Sequence, residues 1–251
     1  MHWFAGVGGL QMYSNVGGGW RGGHGWRALA ATMLLALATA WPASRAAGRH
    51  DARPSDTRLT QTETRWLQAI WPVLLYAREA QLPVDIVVQP TVAPELPPLG
   101  LAWVGGRCKF VLSLRGNPEV PATETRIAPE IFDAAMQLMA AHELGHCTRR
   151  VRGDWLPAAD LGAGMAQALA TQREEAYADL VGLAWTQRHH AALYGRVHAW
   201  LVVERLLSRQ RGPMHDTLAW AEMAARADRF GNRSVFAEAD ALWRQGSAIS
   251  D

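Results

Sequence analysis

Residues 131–146 read I-F-D-A-A-M-Q-L-M-A-A-H-E-L-G-H. The apolar residues recur at spacings of three and four, which predicts an amphipathic helix. This helix runs directly into the motif His142-Glu143-Leu144-Gly145-His146. Positions i and i+4 of a helix lie one turn apart on the same face, so both imidazoles can converge on one metal ion. Glu143 projects beside them, where its carboxylate can take a proton from a metal-activated water.

The motif supplies only two metal ligands. A hydrolytic zinc ion needs three protein ligands and one open position, so the third ligand must come from elsewhere in the chain. Metzincins use a His six residues after the second motif His; that position is Arg152 here, which excludes this subclass. Glu174 and Glu175, in a later predicted helix, are the candidates.

The composition narrows the class of protein. The 251 residues include 25 Lys and Arg against 23 Asp and Glu, and 49% of the chain is hydrophobic. This apolar content excludes a disordered chain, and the near-balance of charge excludes a dedicated nucleic-acid binder. Two cysteines exclude a disulfide-dense scaffold and a cysteine-only zinc site. They are either a disulfide pair or two buried free thiols.

The N-terminal segment carries the excess positive charge. Residues 1–46 contain three arginines and no acid, so without them 22 basic side chains would face 23 acidic ones. An uncharged run at 28–41 is followed by Pro42 and by small residues around a cleavage point after Ala46. This pattern predicts a secretory signal peptide over 1–46, with Met12 as an alternative start. An uncleaved anchor and a buried Ala-rich helix are the alternatives.

The remainder, residues 47–251, is expected to form one α+β domain in which helix dominates, with 190–251 as a helical C-terminal part. A helix is predicted from about Thr60, with Pro72 kinking it or beginning a second helix. Its apolar face is expected to comprise Leu67, Ile70, Trp71, Leu74 and Leu75.

Three short strands are expected between the first helix and the motif helix. Residues 84–88 are β-branched, and 101–104 and 107–114 flank a Gly-Gly turn. Further helices are expected at about 168–188, 190–209, 214–229 and 234–245.

The pairing of H-E-L-G-H at 142–146 with E-A-Y-A-D-L-V-G at 175–182 resembles the gluzincin peptidases of the CAAX-prenyl-protease and HtpX kind. The resemblance covers about residues 127–220 and implies a zincin-like fold around an active-site helix. It implies Glu175, in preference to Glu174, as the third zinc ligand. Asp179 would hydrogen-bond a ligand imidazole and fix its tautomer. The chain departs from the membrane-embedded members, because no segment after residue 46 is long and apolar enough to span a bilayer.

Two further expectations depend on this family. A His-Pro segment often follows its second motif; here His215 is followed by Asp216. His215 is therefore a candidate for stabilising a tetrahedral oxyanion, or else it is an exposed residue before a helix N-cap at Asp216 or Thr217. An edge strand usually lines the cleft, and residues 107–114 are the candidate. A bridge from Cys108 to Cys147 would then tether the cleft edge to the zinc helix.

These expectations give a zinc peptidase with Zn²⁺ on His142, His146 and Glu175 and with Glu143 as general base. The substrate would be a polypeptide, the location would be the periplasm or the exterior, and membrane contact would require an uncleaved 28–41 segment. No nucleic-acid partner is expected. The alternative is a zinc-binding envelope assembly or holdase protein without proteolytic turnover.

Overall fold

The computed structural model describes residues 58–90, 96–154, 164–209 and 215–249. Their helices are α1 (Gln61–Glu79), α2 (Glu119–Arg126), α3 (Phe132–Arg152), α4 (Met165–His189), α5 (Tyr194–Arg209), α6 (Leu218–Met223) and α7 (Val235–Ile249). Their strands are β1 (Val84–Val88), β2 (Leu99–Val104) and β3 (Arg107–Leu112). The helix-dominated α+β class is confirmed. The predicted signal peptide over 1–46 lies outside the described residues.

Helix α1 begins where the sequence places it. Thr60 is the N-cap and forms a capping box with Glu63, each side chain bonding the other residue's backbone N–H. One helix continues through Pro72 to Glu79, so the second-helix alternative is wrong.

The predicted apolar face of α1 needs a correction. The predicted Ile70 and Leu74 are buried and Leu67 packs against the core, together with Trp66 and Val73. Trp71 and Leu75, in contrast, are 46% and 44% exposed. The core-facing stripe is therefore rotated from the predicted one, because α1 packs on α3 as well as beside the sheet.

The sheet has the strand order β1-β3-β2. β3 runs parallel to β1 and antiparallel to β2, and a two-residue turn with positive φ at Gly105 and Gly106 joins β2 to β3. This turn needs glycine, since other residues rarely adopt that conformation. The expectation that residues 107–114 form an edge strand is wrong, because β3 has a neighbour on both sides.

Helices α3 and α4 pack closely through two glycines. A Cβ on Gly145 would lie 3.0 Å from the Cα of Ala178, and one on Gly182 would lie 2.8 Å from the carbonyl oxygen of Leu138. A methyl group at either position would force the helices apart. This contact brings the motif helix against the helix that carries Glu174 and Glu175.

A disulfide joins the sheet to α3. Cys108 of β3 and Cys147 of α3 are bonded, with both side chains buried. The pairing inferred from the family resemblance is confirmed. Because Cys147 directly follows His146, the bond ties the end of the motif to the central strand.

The C-terminal helices cover the far side of α4. The predicted helix at 214–229 is instead the short α6 and a separate 3₁₀ turn at Ala227–Arg229. The helices predicted at 168–188, 190–209 and 234–245 correspond to α4, α5 and α7. Within the described ranges, no helix combines the length and the apolar character that crossing a bilayer requires.

Candidate metal centre

Three buried side chains from α3 and α4 direct their donor atoms at one point. The Nε2 atoms of His142 and His146 are 3.0 Å apart. Glu175 places Oε2 3.5 Å from Nε2 of His142 and Oε1 3.6 Å from Nε2 of His146. The structure thus brings together the three predicted ligands in a cluster able to hold a metal ion.

Glu174 points away from this cluster. Its two carboxylate oxygens accept from Nε and Nη2 of Arg149 at 2.6 and 2.7 Å, in a buried bidentate pair. The choice between Glu174 and Glu175 follows from the rotation of α4, since adjacent helical residues point about 100° apart. Glu174 instead holds the end of α3 to α4.

The donor set fits a small divalent cation. Both oxygens of Glu175 are buried and accept no hydrogen bond from the described residues. Nη2 of Arg205 lies 3.9 Å from Oε2 of Glu175, beyond hydrogen-bond distance, so both carboxylate oxygens keep their capacity to bind a cation. The separations of 3.0, 3.5 and 3.6 Å bracket the distance of about 3.4 Å expected between ligands of a tetrahedral ion with bonds near 2.1 Å.

The two imidazoles are neutral in this environment. Burial lowers the pKa of His142 to about 4, against the opposing influence of Asp179. Burial and the neighbouring His142 lower the pKa of His146 to about 3. A metal ligand must offer an unprotonated nitrogen, so both residues are ready for coordination well below neutral pH.

Asp179 sits behind His142, one turn after Glu175 on α4. Its Oδ1 lies 3.0 Å from Nδ1 of His142, so this ring nitrogen carries the hydrogen and Nε2 is left with its lone pair toward Glu175. Asp179 thus has the predicted imidazole contact. Burial alone would raise the pKa of Asp179, but the charge of Arg205 and the hydrogen bonds from His142 and Arg205 hold it below its ordinary value.

Two partners of Asp179 were missed from the sequence. Arg205 of α5, fully buried, donates to both carboxylate oxygens, with Nε 2.6 Å from Oδ2. Thr217 donates its hydroxyl to Oδ2 at 2.6 Å. Because α5 also contains Arg196, Glu204 and Arg209, the pattern of this helix does not single out Arg205. Thr217 is the helix N-cap, but its side chain makes no cap hydrogen bond and serves Asp179 instead.

Glu143 lies beside the cluster without a fixed partner. It is 4% exposed and takes part in no hydrogen bond or ion pair with another described residue. Burial, together with the negative charge of Glu175, raises the pKa of Glu143 well above its ordinary value. A carboxylate with this elevated proton affinity is suited to accepting a proton near neutral pH.

His215 reaches the edge of the same cluster. Its Nδ1 lies 3.8 Å from Oε2 of Glu175 and makes no hydrogen bond with the described residues, while the side chain is 21% exposed. The neighbouring Asp216 is held at its backbone oxygen by Gln172 of α4 at 2.6 Å. The structure therefore places His215 against the donor cluster and not in open solvent.

No family model, no curated protein and no solved structure matches this chain.

Proposed function

We propose that this chain is a zinc-dependent peptidase. The observation that carries the proposal is the buried triad of His142, His146 and Glu175, with Glu143 buried beside it and in no hydrogen bond with another described residue. Two imidazole nitrogens and one carboxylate form a ligand set that zinc uses in catalytic sites, where a fourth position stays open. Such a buried acid serves no purpose in a purely structural zinc site.

Each side chain of the site has a separate proposed role. His142, His146 and Glu175 would hold the zinc ion, which would supply a Lewis acid able to polarise the scissile carbonyl and lower the pKa of water. Glu143 accepts the proton of the attacking water and passes it to the leaving amine. Asp179 keeps the Nδ1 hydrogen on His142 so that Nε2 faces the ligand position.

His215 is proposed as a donor to the tetrahedral oxyanion. Its unbonded Nδ1 lies at the rim of the donor cluster, where a developing negative charge would be in reach of the ring. A donor placed there before the reaction lowers the barrier without reorganisation.

The free edge of β2 is proposed as the substrate platform, in place of residues 107–114. Ser113 N–H donates to the oxygen of Pro98, so alternate residues Gly100 and Ala102 face β3, while Leu99, Leu101 and Trp103 direct their backbone groups outward. Trp103 lies opposite Cys108, whose disulfide partner follows His146. An extended polypeptide can add to this edge as a further strand along α3.

The test is a set of single substitutions in the zinc-loaded protein. Glu143→Gln should keep one zinc per chain but lower cleavage of a labelled unfolded protein by at least about 10²-fold, because proton transfer is lost. His142→Ala should lose the metal. Glu222→Gln, on an exposed part of α6, is the matched control and should cleave normally.

Two outcomes would count against the proposal. Cleavage that survives both chelation and Glu143→Gln would show that another site or a contaminant is responsible. Tight zinc binding without any chelator-sensitive cleavage would favour the envelope assembly or holdase alternative. Export and the polypeptide partner remain predictions from the sequence.

A further inference from the structure

Three polar side chains form one stripe along α4 at the candidate metal centre. Gln172, Glu175 and Asp179 lie at positions i, i+3 and i+7 of this helix, so they share a face. Glu175 faces the two imidazoles, and Asp179 holds His142. Gln172, the first member of the stripe, instead donates to the segment that begins with His215.

The segment at residues 215–217 is docked on this stripe at two points. Nε2 of Gln172 donates to the backbone oxygen of Asp216 at 2.6 Å. The hydroxyl of Thr217 donates to Oδ2 of Asp179, also at 2.6 Å. The segment is therefore held at both ends of the stripe, by one half-buried contact and one fully buried contact.

His215 belongs to the docked segment and faces the middle of the stripe. Its Nδ1 lies 3.8 Å from Oε2 of Glu175. The N–H of Thr217 donates to the oxygen of His215 at 3.1 Å, so the three residues form one small closed turn. A displacement of the backbone at Asp216 would therefore move the imidazole relative to Glu175.

The hydrogen bond from Gln172 is better suited to hold this turn than the ion pair at the same residue. Nε of Arg209 lies 3.0 Å from Oδ2 of Asp216, but 61% of the Arg209 side chain is exposed. Ion pairs at such exposed positions contribute little to holding a geometry. The amide of Gln172 is half-buried, and it donates without adding a charge beside the metal ligands.

We propose that Gln172 is a positioning residue, which fixes His215 at the metal centre through the backbone of Asp216. The inference rests on the proposed peptidase function, in which His215 donates to the tetrahedral oxyanion. Such a donor is effective only when it is in place before the reaction, because it then costs no reorganisation. Loss of the Gln172 hydrogen bond should therefore lower turnover while substrate binding and zinc binding stay nearly unchanged.

Chemical modification of His215 tests the contact without any need for activity. Diethyl pyrocarbonate modifies accessible imidazoles, and peptide mass spectrometry measures the rate at each histidine of the full chain, with and without zinc. Gln172→Met removes the donor at nearly constant size, and the local opening should raise the rate at His215 at least about three-fold. His189, at the far end of α4, is the internal reference and should react at the wild-type rate. Gln167→Met, at another half-buried position of α4, is the matched control and should change neither rate.

Kinetics of the zinc-loaded chain relate the contact to the reaction. With a quenched fluorescent peptide as substrate, Gln172→Met should lower kcat about ten-fold, while KM and zinc affinity stay within about two-fold of the wild type. In a His215→Ala background, Gln172→Met should have no further effect on kcat, because both substitutions remove the same interaction. Gln167→Met should retain wild-type kinetics.

Several results would overturn the proposal. Unchanged modification of His215 in Gln172→Met would show that the turn is held without this hydrogen bond. A raised KM with unchanged kcat would assign Gln172 to substrate binding, and an equal fall in kcat with and without His215 would show that Gln172 acts elsewhere. Absence of cleavage in every protein would instead refute the peptidase function, and the modification rates alone would still decide whether Gln172 holds His215.

Discussion

Asp179 receives donors from three side chains on three separate segments: His142 of α3, Arg205 of α5 and Thr217 before α6. Its charge is paired with that of Arg205, which also lies 3.9 Å from Oε2 of Glu175, and all three side chains are buried. The orientation of the His142 imidazole in the candidate site thus depends on a residue far from the motif in sequence. Hydrogen-bond partners also distinguish the two adjacent glutamates. Glu174 is paired with Arg149, whereas the oxygens of Glu175 accept no hydrogen bond from described residues.

Replacing Arg205 tests this dependence. Arg205→Met leaves Asp179 buried without its countercharge, so we expect the free energy of unfolding to fall by about 3–5 kcal/mol. Zinc affinity should fall by about 10–100-fold, because the orientation of His142 is loosened. Urea unfolding of the metal-free protein and competition with a chromophoric chelator measure the two effects.

Arg209→Met is the control, because Arg209 pairs with Asp216 while 61% of its side chain is exposed. A change of no more than about 1 kcal/mol is expected there. Wild-type zinc affinity in Arg205→Met would show that Asp179 holds His142 unaided.

The α3–α4 pair is the element that builds the candidate site, since each helix supplies ligands. Gly145 and Gly182 allow the two helices to approach closely where they cross. The disulfide between Cys147 and Cys108 holds α3 to the sheet. The separation of these two helices therefore controls the distance between the imidazoles and Glu175.

Gly182→Ala should separate the helices. Its Cβ would lie 2.8 Å from the backbone oxygen of Leu138, which cannot rotate away. We expect a loss of about 1–3 kcal/mol in the free energy of unfolding, as for other overpacked positions, and a weaker zinc affinity. Urea midpoints and chelator competition provide the measurements.

Gly195→Ala is the matched comparison. Gly195 lies in α5, and a Cβ there would meet no atom within 4 Å. Alanine is the better helix former, so this variant should be unchanged or more stable by up to about 1 kcal/mol. Equal stability of Gly182→Ala and the wild type would show that the helix crossing is not tightly packed.

The whole molecule responds to pH through the buried site. In the metal-free protein, the lowered pKa values of His142 and His146 mean that the unfolded chain binds protons between pH 6.5 and about 4 that the folded chain does not. This contribution makes stability fall as pH falls through that range. Glu143 acts in the opposite sense, because its raised pKa lets the folded chain keep a proton that the unfolded chain loses above pH 4.5.

Glu143→Gln should therefore change the pH profile of the metal-free protein. The stability of the wild type falls as pH rises because folded Glu143 keeps its proton, whereas a glutamine at this position does not titrate. The free energy of unfolding of the variant, relative to that of the wild type, should therefore increase by up to about 1.4 kcal/mol per pH unit above pH 4.5. Urea unfolding from pH 4.5 to 7 measures this difference. The exposed substitution Glu222→Gln should run parallel to the wild type, and a parallel profile for Glu143→Gln would contradict a raised pKa.

The sequence alone predicted the one-turn spacing of His142 and His146, the start of α1 at Thr60 and the Gly105-Gly106 hairpin. Each depends on backbone geometry within a few residues, where periodicity and turn conformations are nearly independent of the rest of the chain. Helix identity in α4, α5 and α7 was predictable for the same reason.

Only the tertiary structure showed that β3 is the central strand and that Trp71 and Leu75 are exposed. It also showed that Arg205 and Thr217 donate hydrogen bonds to Asp179. It also oriented Glu175 toward the imidazoles and Glu174 toward Arg149. These features depend on which surfaces of distant segments meet, and strand or helix periodicity is compatible with several such packings. The chain's own pattern therefore specifies the elements and two of the ligands, while long-range packing assembles the environment that makes them a site.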